Sequence, residues 1–233
     1  MTAVSFPTVV LLFVFLLTGI HPAMAGDAPS FVLEEKYAKE GQRQLERGDV
    51  KKALEAYEKA ASLHPTSPKI RLAKGLVHLR LRQFTQACLE IELALALGTG
   101  STSRLDRDSL TSAYKGLGDG YLEQGNTLQA EKAYLALLRI APAYPGGSNS
   151  LGITYHKMEK YERAIQCFED EIKNNKYDAE IYQTYANLAL SLWKAGKQGA
   201  AEKAILRAKI RGQGDPWVKQ VENEIFSKRG VPK

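Results

Sequence analysis

The feature that most constrains this chain is a period of 34 residues. Gly41 and Gly75 stand 34 apart, as do Ala53 and Ala87, and Ala60 and Ala94. The interval of 34 returns between Leu117-Gly118 and Leu151-Gly152, Tyr121 and Tyr155, Ala130 and Ala164, and Tyr134 and Phe168. A fixed period of this length marks a repeat array in which no unit can bury its own apolar face, so stability comes from stacking. Small residues recur where two helices approach most closely and a larger side chain would overpack the contact. Aromatics recur where the gaps between neighbouring units are wider. Gly48, Gly125 and Gly196 follow the first helix of their units, where a left-handed cap is needed. Pro65 and Pro142 end second helices.

These residues resemble the tetratricopeptide repeat: an aromatic, Leu-Gly and Tyr on one helix, then Ala, an aromatic, Ala and Pro on the next. Five copies are placed, over about 34–67, 68–98, 111–144, 145–178 and 182–212. The third carries Tyr114, Leu117, Gly118, Tyr121, Gly125, Ala130, Tyr134 and Pro142; the second lacks the first aromatic and the closing proline. The resemblance implies an all-α fold, a right-handed superhelical solenoid of about five helix-turn-helix units. The spacing breaks twice. Gly75 to Gly118 is 43 residues, the excess lying in a polar loop at 99–110, and Gly152 to Ala189 is 37. After Gly212-Gln213-Gly214, Asp215 and Pro216 open a short helix with an apolar stripe of Trp217, Val218, Val221 and Ile225. Residues 213–233 are expected to cap the open end of the array. No segment reads as a strand.

The N-terminus reads as an export signal. Val9 to Ile20 is an apolar run too short to span a bilayer core, which takes about 20 helical residues. Ala23 and Ala25 supply the small residues of a cleavage site, so residues 1–25 are expected to be removed and 26–33 to form a short leader. No Lys or Arg precedes the apolar run, which keeps a retained N-terminal helix open as the alternative. The protein is expected to be exported, to the periplasm, with N-terminal membrane anchoring as the other outcome. There is no Asn-x-Ser/Thr sequon. The net charge of +6, from 32 Lys+Arg and 26 Asp+Glu, is too small to argue for nucleic acid.

Motifs of catalysis are lacking in the sequence: no nucleophile elbow, no phosphate loop of the G-x4-G-K-[ST] form, no H-E-x-x-H. No enzyme activity, cofactor or metal site is expected. His64, His78 and His156 are isolated. Gly116-Leu117-Gly118-Asp119-Gly120 lies inside a repeat helix with no strand before it, which removes the dinucleotide fingerprint from consideration. Glu169-Asp170-Glu171 reads as a solvated helix face. Cys88 and Cys167 lie two repeats apart, on the order of 20 Å, beyond the roughly 7 Å that a disulfide allows.

The resemblance further implies that first helices line a concave groove where a partner peptide or helix binds. The register puts Lys69, Leu72, Leu76, Leu79 and Arg80 of the second copy there, with Lys115 and Asp119 of the third. Asn149, Ile153, His156 and Lys157 of the fourth copy and Asn187, Leu190, Trp193 and Lys194 of the fifth complete the set. The carboxylate clamp of chaperone-binding relatives needs Lys, Asn, Asn, Lys and Arg across three repeats; only Lys115 fits, and the clamp is rejected. Two runs are basic: Lys69, Arg71, Lys74, Arg80 and Arg82, and Lys194, Lys197, Lys203, Arg207, Lys209 and Arg211. They raise an anionic envelope surface as a further contact. The expected role is a non-catalytic interaction scaffold of the cell envelope for another exported protein. The alternative is a membrane-tethered subunit of an envelope or secretion complex.

Overall fold

Five helix ends turn in the same way, and those turns set the hairpins. The computed structural model describes residues 28–99 and 104–227. Among the described residues there are eleven helices and no strand. They are α1 (Ala28–Glu46), α2 (Val50–Leu63), α3 (Pro68–Arg80), α4 (Phe84–Leu97), α5 (Arg107–Glu123), α6 (Thr127–Ile140), α7 (Gly147–Lys157), α8 (Tyr161–Asn174), α9 (Ile181–Lys194), α10 (Gln198–Arg211) and α11 (Pro216–Ser227). At the turns, the amides of Gly48, Arg82, Gly125, Glu159 and Gly196 donate to the carbonyl three residues back, at 2.9–3.1 Å. The next amide in each turn donates to the carbonyl five residues back, the paired bonds of a Schellman turn. All five residues have positive φ: +81°, +77° and +77° at Gly48, Gly125 and Gly196, and +57° and +59° at Arg82 and Glu159. Two turns therefore hold a side chain in a conformation that favours glycine.

The chain divides into two compact units, Met1–Gly120 and Tyr121–Lys233, with the boundary inside α5. In the first unit α1 pairs with α2 and α3 with α4, and α2 packs on α3. In the second, α7 pairs with α8 and α9 with α10, α6 packs on α7, and α11 packs on both α9 and α10. The expected export signal, residues 1–25, lies outside the described residues. Helix α1 begins at Ala28, ahead of the repeat start expected at 34, so Phe31, Val32 and Leu33 belong to a helix and not to a leader. Likewise α5 begins at Arg107, inside the stretch expected as loop.

Within the hairpins, close approach is set by glycine. A Cβ at Gly41 would lie 2.8 Å from the Tyr57 ring, at Gly75 2.5 Å from Ile91 Cγ1, and at Gly152 2.6 Å from Phe168 Cε1. Ile91 and Phe168 have no exposed surface and Tyr57 only 4%. Gly116 and Gly120 are packing residues too. A Cβ there would meet Ile91 at 2.9 Å and Cys88 Sγ at 2.7 Å respectively, so the glycine-rich stretch of α5 serves its seat on the α3–α4 hairpin.

The packing yields two opposite expectations. Gly152→Ala forces the buried Phe168 ring to move and is expected to lower stability by about 1–3 kcal/mol. Glu159→Gly removes left-handed strain of about 1–2 kcal/mol and returns part of it as unfolded-chain entropy, about 0.4–1 kcal/mol. The expected net is a gain of roughly 0.5–1 kcal/mol. Urea unfolding of both variants checks the pair, and a stabilised Gly152→Ala would contradict the close-approach account.

Candidate partner-binding groove

The predicted groove residues fall into two sets, one in each unit. In the first unit Lys69 and Arg80 are exposed, whereas Leu72 is 5% exposed and lies in the packed interior. Leu76 and Leu79 are half-buried, and a Cβ at Gly116 would touch them at 3.1 and 3.0 Å. They form the seam between α3 and α5. Lys115 and Asp119, one turn apart on α5, pair with each other at 2.6 Å.

The first basic run divides: Lys69, Arg80 and Arg82 are exposed, whereas Arg71 and Lys74 are turned inward. Arg71 and Lys74 both bond to Glu90 of α4, at 3.0 and 2.7 Å, with all three side chains less than 20% exposed. Lys69 lies 3.7 Å from Asp106. Arg82 sits over the Phe84 ring, 5.2 Å from its centroid. A carboxylate placed 16 to 19 residues further along thus opposes the charge of Arg71 and Lys74, which looked unopposed in the local sequence.

In the second unit the predicted residues converge. Asn187 of α9 donates through Nδ2 to Asn149 Oδ1 of α7 at 3.1 Å. The Trp217 indole, from the first turn of α11, donates to Asn187 Oδ1 at 2.9 Å. His156 Nδ1 is 2.8 Å from Ser191 Oγ, and its ring meets Tyr161 edge-on with centroids 5.4 Å apart. Lys194 pairs with Glu224 of α11 at 2.8 Å. Ile153 and Trp193 are half-buried, Lys157 is exposed, and Leu190, at 8% exposure, lies in the interior. Burial pushes the His156 imidazole below its usual range; Lys194 and Lys157 push the same way and Glu224 opposes them. The Glu224 carboxylate, through its hydrogen bond, raises Lys194 and holds it charged.

Glu171 corrects a reading made from sequence. It is 2% exposed and is not on a solvated face. Its Oε1 accepts from the Gly146 amide at 2.8 Å and from Asn175 Nδ2 at 2.7 Å, and its Oε2 accepts from the Asn149 amide at 3.1 Å. Gly146, with φ +74°, offers no side chain to cap α7, so a carboxylate from α8 fills that place. The bond also fixes the backbone that carries the Asn149 side chain.

The second basic run is also largely engaged. Arg207 and Arg211 sit over the Tyr185 ring at 5.8 and 5.9 Å, Arg211 donates to the Lys176 carbonyl, and Lys209 pairs with Glu222. Lys197 and Lys203 have no ion partner among the described residues. Of this run, Lys194 and Lys209 are paired with carboxylates, and Arg207 and Arg211 keep their charge while held against the Tyr185 ring. No cluster of three or more metal-ligating side chains occurs among the described residues.

Both cysteines are free thiols. Burial, and then Asp170, push Cys167 up to about 11 from a usual 9. At pH 8 that shift cuts the thiolate fraction by about a hundredfold. Cys167 is expected to react with iodoacetamide about a hundredfold more slowly in the native protein than after unfolding, with two thiols counted in denaturant. Native labelling at the unfolded rate would contradict the burial.

The sequence register pointed to Asn149, His156, Asn187 and Lys194; it assigned Trp217 only to the apolar stripe of α11 and Glu171 to a solvated face, and it gave no place to Ser191 or Glu224. The Asn149-to-Asn187 and Asn187-to-Trp217 intervals are 38 and 30, so no single repeat register links the three.

Residues 38–102 and 149–216 match the Tetratricopeptide repeat family. Human tetratricopeptide repeat protein 6 is 28% identical over 152 residues, covering 64% of this chain. The chain spans 27% of that relative's length. Among solved structures, MamA residues 41 to the end from Desulfovibrio magneticus RS-1 align with a TM-score of 0.68 at 18% identity, over 78% of this chain and 97% of that one. YrrB, described as a protein with an unusual peptide-binding site, aligns at 0.66 and 14% identity over 85% and 100%. Pseudomonas aeruginosa pilF aligns at 0.63 and 20% over 86% and 87%.

Proposed function

Since the chain belongs to the tetratricopeptide repeat family, we propose that it is a non-catalytic interaction scaffold of the cell envelope that holds a segment of another exported protein. The observation that carries this reading is the Asn149–Asn187–Trp217 row with Ile153 and Trp193 nearby. Polar donors and half-buried apolar side chains lie along three helices of one unit, as a peptide-binding surface requires. The peptide-binding site named for YrrB supports it by analogy of fold. Export rests on the apolar run Val9 to Ile20 and the Ala23/Ala25 cleavage site.

Interface energy concentrates in a few large side chains. Trp193→Ala is therefore expected to weaken capture of the envelope partner by about 2 kcal/mol or more while leaving the melting temperature near wild type. Lys132→Ala, on the exposed side of α6, serves as the control and is expected to change neither. If Trp193→Ala instead loses roughly 3–5 kcal/mol of stability, the tryptophan is core and this part of the reading is wrong.

A second reading, a membrane-tethered subunit, is favoured by the lack of any Lys or Arg before the apolar run. Among the described residues no helix is long and apolar enough to cross a membrane. Intact mass of the exported protein decides: a chain beginning at Gly26 is expected, and one that retains Met1 establishes the tethered form.

A further inference from the structure

We propose that Trp217 is a positioning residue that fixes the direction of the asparagine row. It thereby makes this groove selective for the backbone carbonyls of an extended partner segment rather than for a helix. The inference rests on the groove reading above and adds the chemistry of the occupant.

An indole nitrogen can only donate. The Asn187 atom 2.9 Å from Trp217 Nε1 is therefore the carbonyl oxygen, which settles the amide orientation that isolated asparagines leave open. With Oδ1 turned to Trp217, the Asn187 nitrogen faces Asn149, and the atom it meets at 3.1 Å must accept. That places Asn149 Oδ1 against Asn187 and leaves the Asn149 NH2 group on the outside. Neither its two N–H groups nor the second N–H of Asn187 has an acceptor among the described residues. The row thus runs in one direction, from a donor-only residue at one end to unused donors at the other.

The row is held from behind as well. The Glu171 carboxylate accepts from the Asn149 backbone amide, so the side chain starts from a pinned position. Of the carboxylates beside this stretch, Glu224 is taken by Lys194 and Asp215 caps α11 through the Val218 amide. Lys157 is exposed, and burial pushes the His156 imidazole below its usual range. The asparagine row itself offers unused N–H donors, with both of its amide oxygens already engaged. Its complement is an acceptor-rich chain. In a helix the backbone carbonyls are already bonded within the helix, apart from the last turn. An extended segment presents its carbonyls laterally, and the half-buried Ile153 and Trp193 can take its apolar side chains. Without the indole N–H, both amides are able to rotate together and turn their oxygens outward, and the selectivity for acceptors is lost.

The test uses the whole exported protein and a 12-residue peptide. The peptide is selected from a random displayed library for binding that is lost in Asn187→Ala. In wild type, replacing peptide amides one at a time by esters, which weakens the carbonyl acceptor and removes the N–H, is expected to reduce affinity several-fold at one or more positions where N-methylation, which removes the N–H alone, does not. Trp217→Phe keeps the ring and removes the donor. It is expected to reduce affinity about tenfold, the scale of one hydrogen bond, and to abolish the ester penalty. A purely structural role would lower affinity for amide and ester peptides alike. Asn187→Asp keeps an acceptor for Trp217 but removes the row's donors, and is expected to reduce binding at least as much, which guards against a poorly folded Trp217 variant. An ester penalty that persists unchanged in Trp217→Phe, or a selected peptide that binds as a helix, overturns the inference and leaves the groove reading standing. A library that yields no peptide sensitive to Asn187→Ala overturns the groove reading and the inference with it.

Discussion

Three of the hairpins depend on a side chain missing from the first helix. Gly41, Gly75 and Gly152 leave no Cβ, and the space is filled by Tyr57, Ile91 and Phe168 of the following helix. Because the interior is close-packed, even one methyl at those positions meets an atom at 2.5 to 2.8 Å. The contact pins the second helix to the first. The asparagine row needs this, since its members sit on α7, α9 and α11 and meet only if the helices between them hold their spacing.

Carboxylates on the second helices complete the frame by a different force. Glu90 is shared by Arg71 and Lys74, and Glu171 by two backbone amides and Asn175. Each is nearly withdrawn from water, and a buried charge persists only when its hydrogen-bonding capacity is used. The consequence is orientation: Glu90 draws two long cationic side chains of α3 inward, and Glu171 caps α7 where the left-handed Gly146 cannot. No buried side-chain nitrogen or oxygen among the described residues lacks a partner.

The C-terminal helix does more than close the stack. Its apolar side, Val218, Val221 and Ile225, is buried at 0–2% exposure, as a terminal cap requires. Trp217 and Glu224 reach to Asn187 and Lys194 on α9 and continue the polar row that α7 and α9 begin. The same helix therefore covers the last repeat and extends the hydrogen-bonded row of α7 and α9.

The period and the identity of its small residues were enough to fix the helical hairpins, the left-handed turns at Gly48, Gly125 and Gly196, and the all-α class, because each follows from local geometry repeated at a constant interval. The equivalent turns at Arg82 and Glu159 carried no glycine and were invisible, since there the tertiary frame imposes the conformation against local preference. The candidate site was legible only as positions on first helices. Which of them lie in the interior, as Leu72 and Leu190 do, and which reach a partner, as Asn149 and Asn187 do, depended on side chains brought together from 22 to 38 residues away. Arg71 and Lys74 looked free because their glutamate sits on another helix, and an acidic run looked solvated although one of its members turns inward. Hydrogen bonds and ion pairs of that kind leave no periodic trace in sequence, because they join residues that only the packing of helices places within 3 Å of each other.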